Sequence, residues 1–175
     1  MSGPAHIVLV GMMGVGKSTV GGDVADALGV PFVDTDAEVE RRSGRTVAEL
    51  FAEGEPVFRS IEASVVEALL SDASPSVIAA AGGVVLDPST RAALRAHATV
   101  VWLQAPIDVL VDRVAGSAHR PALADDAKGT LERMRTERWA LYEEVADLVV
   151  DASAPVPDVV EAICTGVRAR GGVRA

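Results

Sequence analysis

The chain has 175 residues and a mass of 18.1 kDa, which allows one full hydrophobic core and is too short for two ordinary domains. Its 16 basic residues stand against 25 acidic ones for a formal net charge of −9, which argues against nucleic acid as a general partner, because a phosphate backbone demands basic surface. No apolar run approaches the roughly 20 residues that span a bilayer and no signal-peptide pattern opens the chain, so a soluble, cytoplasmic protein without a membrane partner is expected.

Apolar residues make up 49% of the chain and aromatic ones only 3%, so the core must be built from Val, Ala and Leu, as suits helices packed on a sheet. The run His6-Ile7-Val8-Leu9-Val10 is continuously apolar after its first residue, which predicts a strand over Ile7–Val10 buried on both faces. A helix follows over Lys17–Leu28, with Gly29 as its stop. Further strands are expected at Pro31–Asp34, Val77–Ala80, Thr99–Leu103 and Leu148–Val150. Between them lie helical patterns at Ala37–Ser43, Thr46–Phe51, Glu55–Ser71, Ser89–Ala96 and Pro106–Val114, then roughly Lys128–Ala146 and finally Pro157–Arg168. This alternation signals a parallel α/β sheet. Charge-rich text broken by Gly44 and Gly54 reads as small helices projecting from the sheet, and the proline-interrupted stretch after Ala115 reads as a mobile flap.

Between the first strand and the first helix, Gly11 to Thr19 reads GMMGVGKST and matches the phosphate-binding loop G-x-x-x-x-G-K-[ST]. Glycines at 11, 14 and 16 let the backbone curl so that successive N–H groups converge on phosphate oxygens, and the following helix adds its positive end. Lys17 would reach the β- and γ-phosphates, and the Ser18 hydroxyl would be a ligand for Mg²⁺. The sequence has only two lysines, Lys17 and Lys128, against fourteen arginines; one of the two stands where phosphate chemistry wants a compact, mobile cation.

Asp34 and Asp36 follow the second strand, at the strand ends where open parallel sheets place ligands. On an extended chain their side chains point in opposite directions, so one could hold Mg²⁺ through water while the other accepts a proton from a hydroxyl. Asp36 could equally cap a helix starting at Ala37. Arg59, three residues before Glu62, is either one half of a solvated ion pair or an arginine held rigid for a carboxylate. Gly82 and Gly83 end a strand at the same sheet edge as the loop, either as an ordinary turn or as bare backbone against a ligand. Arg120 in the flap could close over a phosphate. Arg138 stands in a run with Arg133 and Arg135, where most charges are simply solvated. Cys164, the only cysteine, excludes an intrachain disulfide and reads as a core residue; His6, His97 and His119 have no metal-ligand spacing.

Taken together, GMMGVGKST, Asp34-Thr35-Asp36, FRSIE at Phe58 to Glu62, the Gly82-Gly83 turn, the Arg120-Pro121 pair and the R-x-x-L-Y text from Arg138 to Tyr142 resemble shikimate kinase. The likeness covers nearly the whole chain. It implies a single P-loop kinase domain over residues 1–175, a three-layer α/β/α sandwich with a five-stranded parallel sheet, a substrate-binding insert at about 34–61 and a mobile lid at about 115–127. It also implies transfer of the γ-phosphoryl of ATP to the 3-hydroxyl of shikimate. Gly14, Val15, Gly16, Lys17, Ser18 and Thr19 would bind ATP, with Ser18 directly and Asp34 through water holding Mg²⁺. Asp36 would be the base on the shikimate hydroxyl. Arg59, oriented by Glu62, and Arg138 would clamp the carboxylate, with the ring against Gly82 and Gly83. Arg120 would neutralise the transferring phosphate, and Arg113 and Pro157 would pack the adenine.

The chain departs from the family text in three places: Ala81 stands where a third glycine is frequent, Ala122 where leucine is more usual, and Ser153-Ala154-Pro155 in a stretch often bearing arginine. If position 81 needs a positive φ, the turn must shift or strain. Three other readings compete: a gluconate kinase on the same scaffold, a GTP-binding switch, and a family relative that only binds. The switch needs an Asn/Thr-Lys-x-Asp motif, and the sequence has no asparagine and no Lys-x-Asp. With no exposed apolar stripe in evidence, a monomer is expected.

Overall fold

The computed structural model describes residues 6–115 and 126–171, so Arg120, Ala122 and most of the expected lid lie outside the described residues. Strands β1 (His6–Val10), β2 (Phe32–Asp34), β3 (Val77–Ala79), β4 (Ala98–Gln104) and β5 (Leu148–Asp151) form one parallel sheet in the order β2-β3-β1-β4-β5. The most apolar strand takes the central place: β1 is buried along its whole length, with Val8 paired to Ile78 on one side and to Val100 on the other.

The connecting helices are α1 (Lys17–Leu28), α2 (Thr35–Ser43), α3 (Val47–Glu53), α4 (Glu55–Leu70), α5 (Pro88–His97), α6 (Ile107–Ala115), α7 (Ala127–Val145) and α8 (Val156–Ala169). The chain passes from β1 to β2 across β3, and from β3 to β4 across β1, so the two crossovers run in opposite directions. Right-handed connections then put α1 on one face and α5 on the other; α1 packs on α8, while α5 touches both α4 and α7. Such a reversal opens a crevice between the C-terminal ends of β1 and β3.

Local chemistry sets the boundaries. Gly29 and Gly44 end α1 and α2 in the left-handed conformation, and Thr46 with Glu49 makes a reciprocal capping box at α3. Asp87 caps α5, which starts with Pro88. Most expected boundaries hold to within two residues. One difference matters. Helix α2 begins at Thr35, and its N-cap is Asp34: Asp34 Oδ1 accepts the N–H groups of Asp36 at 3.0 Å and Ala37 at 3.4 Å. The expected extended chain from Asp34 to Asp36, with opposed carboxylates, is therefore corrected, because a carboxylate at a strand end satisfies the first amides of a helix better than water does. A short 3-10 turn over Val84–Leu86 had no sequence signal.

Beneath the sheet's two faces lies one large apolar cluster; a second, small one of Val39, Leu50, Phe58 and Val65 sits under α2, α3 and α4. His6 is a core residue, its ring nitrogens 2.9 Å from Ser76 Oγ and 3.0 Å from the Asp72 carbonyl. Cys164 is buried, and that burial pushes its thiol pKa up, as expected of a packing residue. Among the described residues no helix is long and apolar enough to cross a membrane.

Gly11 leaves β1 with φ 144°, and a Cβ there would lie 2.5 Å from the Leu103 carbonyl oxygen on the neighbouring strand. Gly11→Ala should lower the unfolding free energy by about 2 kcal/mol or more, read as a fall in urea midpoint at constant m-value.

Candidate active site

Three glycines shape the loop after β1: Gly11, Gly14 and Gly16 have φ of 144°, 79° and 98°. A Cβ on Gly14 would meet Val114 Cγ1 at 2.8 Å, so close packing on α6 also demands glycine there. Gly16 is the N-cap of α1, and no side chain caps that helix, which leaves its first amides for an anion. Val15 is buried and anchors the loop. The Lys17 ammonium donates to the carbonyls of Gly11 at 2.8 Å and Met12 at 3.0 Å, so it lies across the loop's mouth. Thr19 is exposed in the first turn of α1.

Asp34 divides its carboxylate: Oδ1 caps α2, and Oδ2 accepts a hydrogen bond from Ser18 Oγ at 2.5 Å. The Ser18 hydroxyl and the Asp34 carboxylate, hydrogen-bonded to each other here, are hard oxygen donors of the kind Mg²⁺ takes. Asp36, exposed on the first turn of α2, lies near enough to Glu62 to act on its charge.

Opposite the loop, the turn after β3 meets two arginines. A Cβ on Gly83 would lie 2.1 Å from Arg59 Nη2, so the guanidinium rests directly on that glycine; one on Gly82 would be 3.5 Å from Arg138 Nη1, 3.5 Å from Met13 N and 3.4 Å from the Gly11 carbonyl. Neither glycine has a positive φ. Space is short only at Gly83, where Arg59 stands, while a Cβ on Gly82 would make ordinary contacts; the Ala81 N–H donates to Thr35 Oγ1 at 3.0 Å and its carbonyl accepts from Val84 N at 3.0 Å.

Arg59 comes from α4, donating to Glu62 Oε2 at 2.8 Å and to Glu55 Oε1 at 3.1 and 3.2 Å, above the rings of Phe51 and Phe58. The solvated-pair alternative is excluded, since the Glu62 side chain is only 4% exposed. Burial pushes the Glu62 pKa up, Asp36 adds to this, and Arg59 and Arg138 resist it. Burial also works against the Arg59 charge, but Glu62 and Glu55 outweigh it and raise the pKa. Glu62 Oε1 has no hydrogen-bond partner among the described residues. Of the three arginines near the middle of α7, Arg138 alone is buried, one turn before the buried Tyr142, whose hydroxyl donates to the Gly82 carbonyl.

At the far side of the loop, Arg113 on α6 donates to the Val15 carbonyl at 3.2 Å and the Ala152 carbonyl at 2.9 Å, joining the loop to the turn before α8. Pro157 is exposed in the first turn of α8. The structure thus gathers the loop, Asp34, Asp36, Arg59, Gly82, Gly83 and Arg138 at one end of the sheet, with Arg113 and Pro157 flanking. The hydroxyls of Thr35 and Tyr142 went unremarked in the sequence, although Thr35 lies between the two aspartates and Tyr142 four residues beyond Arg138, on the same helical face.

The chain has counterparts among known proteins. A family model described as shikimate kinase matches residues 13–167. The chain belongs to the shikimate kinase family. A shikimate kinase from Bradyrhizobium diazoefficiens is 47% identical over 157 residues, covering 89% of this chain and 74% of that one. Another from Paramagnetospirillum magneticum is 44% identical over 154 residues, covering 87% and 78%. The crystal structure of shikimate kinase from Acinetobacter baumannii in complex with shikimate superposes with a TM-score of 0.90 at 32% identity, over 95% of this chain and 94% of that one. The expected P-loop kinase sandwich is the observed fold. A gluconokinase from Sinorhizobium meliloti shares that fold at a TM-score of 0.64 and 21% identity, over 97% of this chain and 95% of that one.

Tyr142 is the only tyrosine, and burial pushes its phenol from 10.0 up to about 12. An absorbance titration at the phenolate band should therefore show ionisation near pH 12 in the native protein and near 10 after unfolding. A phenol raised on folding contributes stability fully present below pH 10, lost as the pH climbs towards about 12.

Proposed function

We propose that this chain is an ATP-dependent kinase that transfers the γ-phosphoryl group to the 3-hydroxyl of shikimate, giving shikimate 3-phosphate and ADP on the way to chorismate and the aromatic amino acids. The observation that carries the reading is the convergence of Arg59 and Arg138 on the Gly82-Gly83 turn beside the phosphate-binding loop. Two guanidinium groups held by buried or packed surroundings suit a carboxylate, and two glycines without side chains leave a flat floor for a ring.

In this mechanism the amides of residues 14–19 and the Lys17 ammonium hold the β- and γ-phosphates, exchanging the loop carbonyls for phosphate oxygens. Ser18 and Asp34 would hold Mg²⁺, which would supply neutralisation of the phosphate charge. Arg59 and Arg138 fix the acceptor by its carboxylate, which points its reacting hydroxyl at Asp36. The Asp36 carboxylate accepts that proton as the oxygen attacks the γ-phosphorus and the bridging oxygen leaves with ADP. Asp36 is held for this by Asp34 Oδ1, which accepts its N–H at 3.0 Å. Arg120, by the family pattern, closes on the transferring phosphate, and Arg113 with Pro157 receives the adenine. Most of the acceleration is then positioning and charge stabilisation.

On this reading residues 1–175 work as one kinase domain, a cytoplasmic monomer acting on two small molecules, and the net charge of −9 supports the exclusion of polyanionic partners.

ADP release with ATP and Mg²⁺ should depend on shikimate and not appear with gluconate; release with gluconate alone would sink the reading. Asp36→Asn should reduce turnover by roughly 100- to 10,000-fold with ATP binding intact. Arg59→Ala should raise the KM for shikimate by roughly ten- to a hundredfold, and that for ATP far less.

A further inference from the structure

We infer that Thr35 and Tyr142 are positioning residues: their buried hydroxyls grip the Ala81–Gly83 turn from opposite sides and so set where the acceptor's floor lies between Arg59 and Arg138. The inference rests on the reading that this turn carries the acceptor, and assigns two residues that no step of the proposed transfer touches.

The turn's own hydrogen bonds are few. Ala81 and Gly83 carbonyls accept from Val84 and Leu86, both within the following short turn, and these do not tie it to the rest of the protein. Two side chains do. Thr35 Oγ1, on the first residue of α2 and fully buried, accepts the Ala81 N–H at 3.0 Å. The Tyr142 hydroxyl, 1% exposed, donates to the Gly82 carbonyl. One brace grows from the Asp34–Asp36 segment and the other from the helix of Arg138, so each links the turn to an element that carries a reacting or clamping group.

Both hydroxyls belong to buried residues, and both contacts are part-buried. A polar group there that loses its partner keeps part of its desolvation cost, so the turn would shift to find another. The space around it is tight: Arg59 already occupies the position of a Cβ on Gly83. A small displacement therefore changes the gap between the floor and both guanidinium groups. The phenol, with a pKa pushed up to about 12, keeps its proton and so stays a donor at any working pH. The ring itself is separately fixed, 5.6 Å from Trp102 in a stacked arrangement, so removing the hydroxyl leaves the packing in place.

The test uses Tyr142→Phe and Thr35→Val, with Thr35→Ser as the variant that retains a hydroxyl. In the unliganded protein, amide hydrogen exchange should quicken at Ala81 in Thr35→Val, and at Val84 and Leu86 in Tyr142→Phe, with Thr35→Ser close to the unaltered protein. With substrates, each hydroxyl-free variant should raise the KM for shikimate about three- to tenfold while the KM for ATP shifts by less than about twofold. Unchanged exchange at the turn, or equal movement of both KM values, would overturn the inference; so would a loss of thermal stability with no KM split. Should the unaltered protein show no shikimate-dependent turnover, the shikimate reading itself falls, and exchange at the turn decides alone whether the two hydroxyls brace it.

Discussion

Everything at the catalytic end follows from the parallel pairing of β1 with β3. Ile7, Val8 and Leu9 lie in register with Val77, Ile78 and Ala79, so the two strands finish side by side and both open toward the same solvent. Because parallel strands require long crossovers, neither end is closed by a hairpin. The loop that follows β1 is therefore free to curl around an anion, while the turn that follows β3 faces it. The phosphate-binding-loop motif and the Gly82-Gly83 turn become neighbours without a residue of either reaching far.

The electrostatics of the site depend on that closeness. Asp36, Glu62, Arg59 and Arg138 act on one another through partly dry surroundings, and the balance is not neutral in its effects: burial drives Glu62 toward its protonated form while the arginines hold it back. A buried carboxylate with one unpaired oxygen is costly on its own. Its value lies in fixing the Arg59 fork, which Glu55 and the rings of Phe51 and Phe58 complete. The lysine of the loop contrasts with this rigidity, since its bonds to the Gly11 and Met12 carbonyls are of the kind that a phosphate oxygen readily replaces.

Periodicity and punctuation made the sheet and helices legible in the sequence: continuous apolar runs for β1 and β4, glycine stops for α1 and α2, a capping box for α3. Strand order was not legible, since it depends on which crossovers reverse. Neither was the start of α2, where the first aspartate and not the second became the cap because its backbone is still extended at φ −98° and ψ 125°. At the site, the charged residues and the Ser18 hydroxyl of the loop stood out in the text, and the hydroxyls of Thr35 and Tyr142 did not. Thr35 and Tyr142 are ordinary core letters until the distance to Ala81 and Gly82 is known. Charge alone did not separate Arg138 from Arg133 and Arg135; the R-x-x-L-Y text did, and the packed helix adds that it is the buried one of the three.

The small cluster of Val39, Leu50, Phe58 and Val65 gives α2, α3 and α4 an apolar centre of their own. Leu69 packs against both this centre and the larger one beneath the sheet, so α4, the helix that carries Arg59, is seated on two cores at once. The arginine is thereby held relative to the strands as well as to the small helices around it.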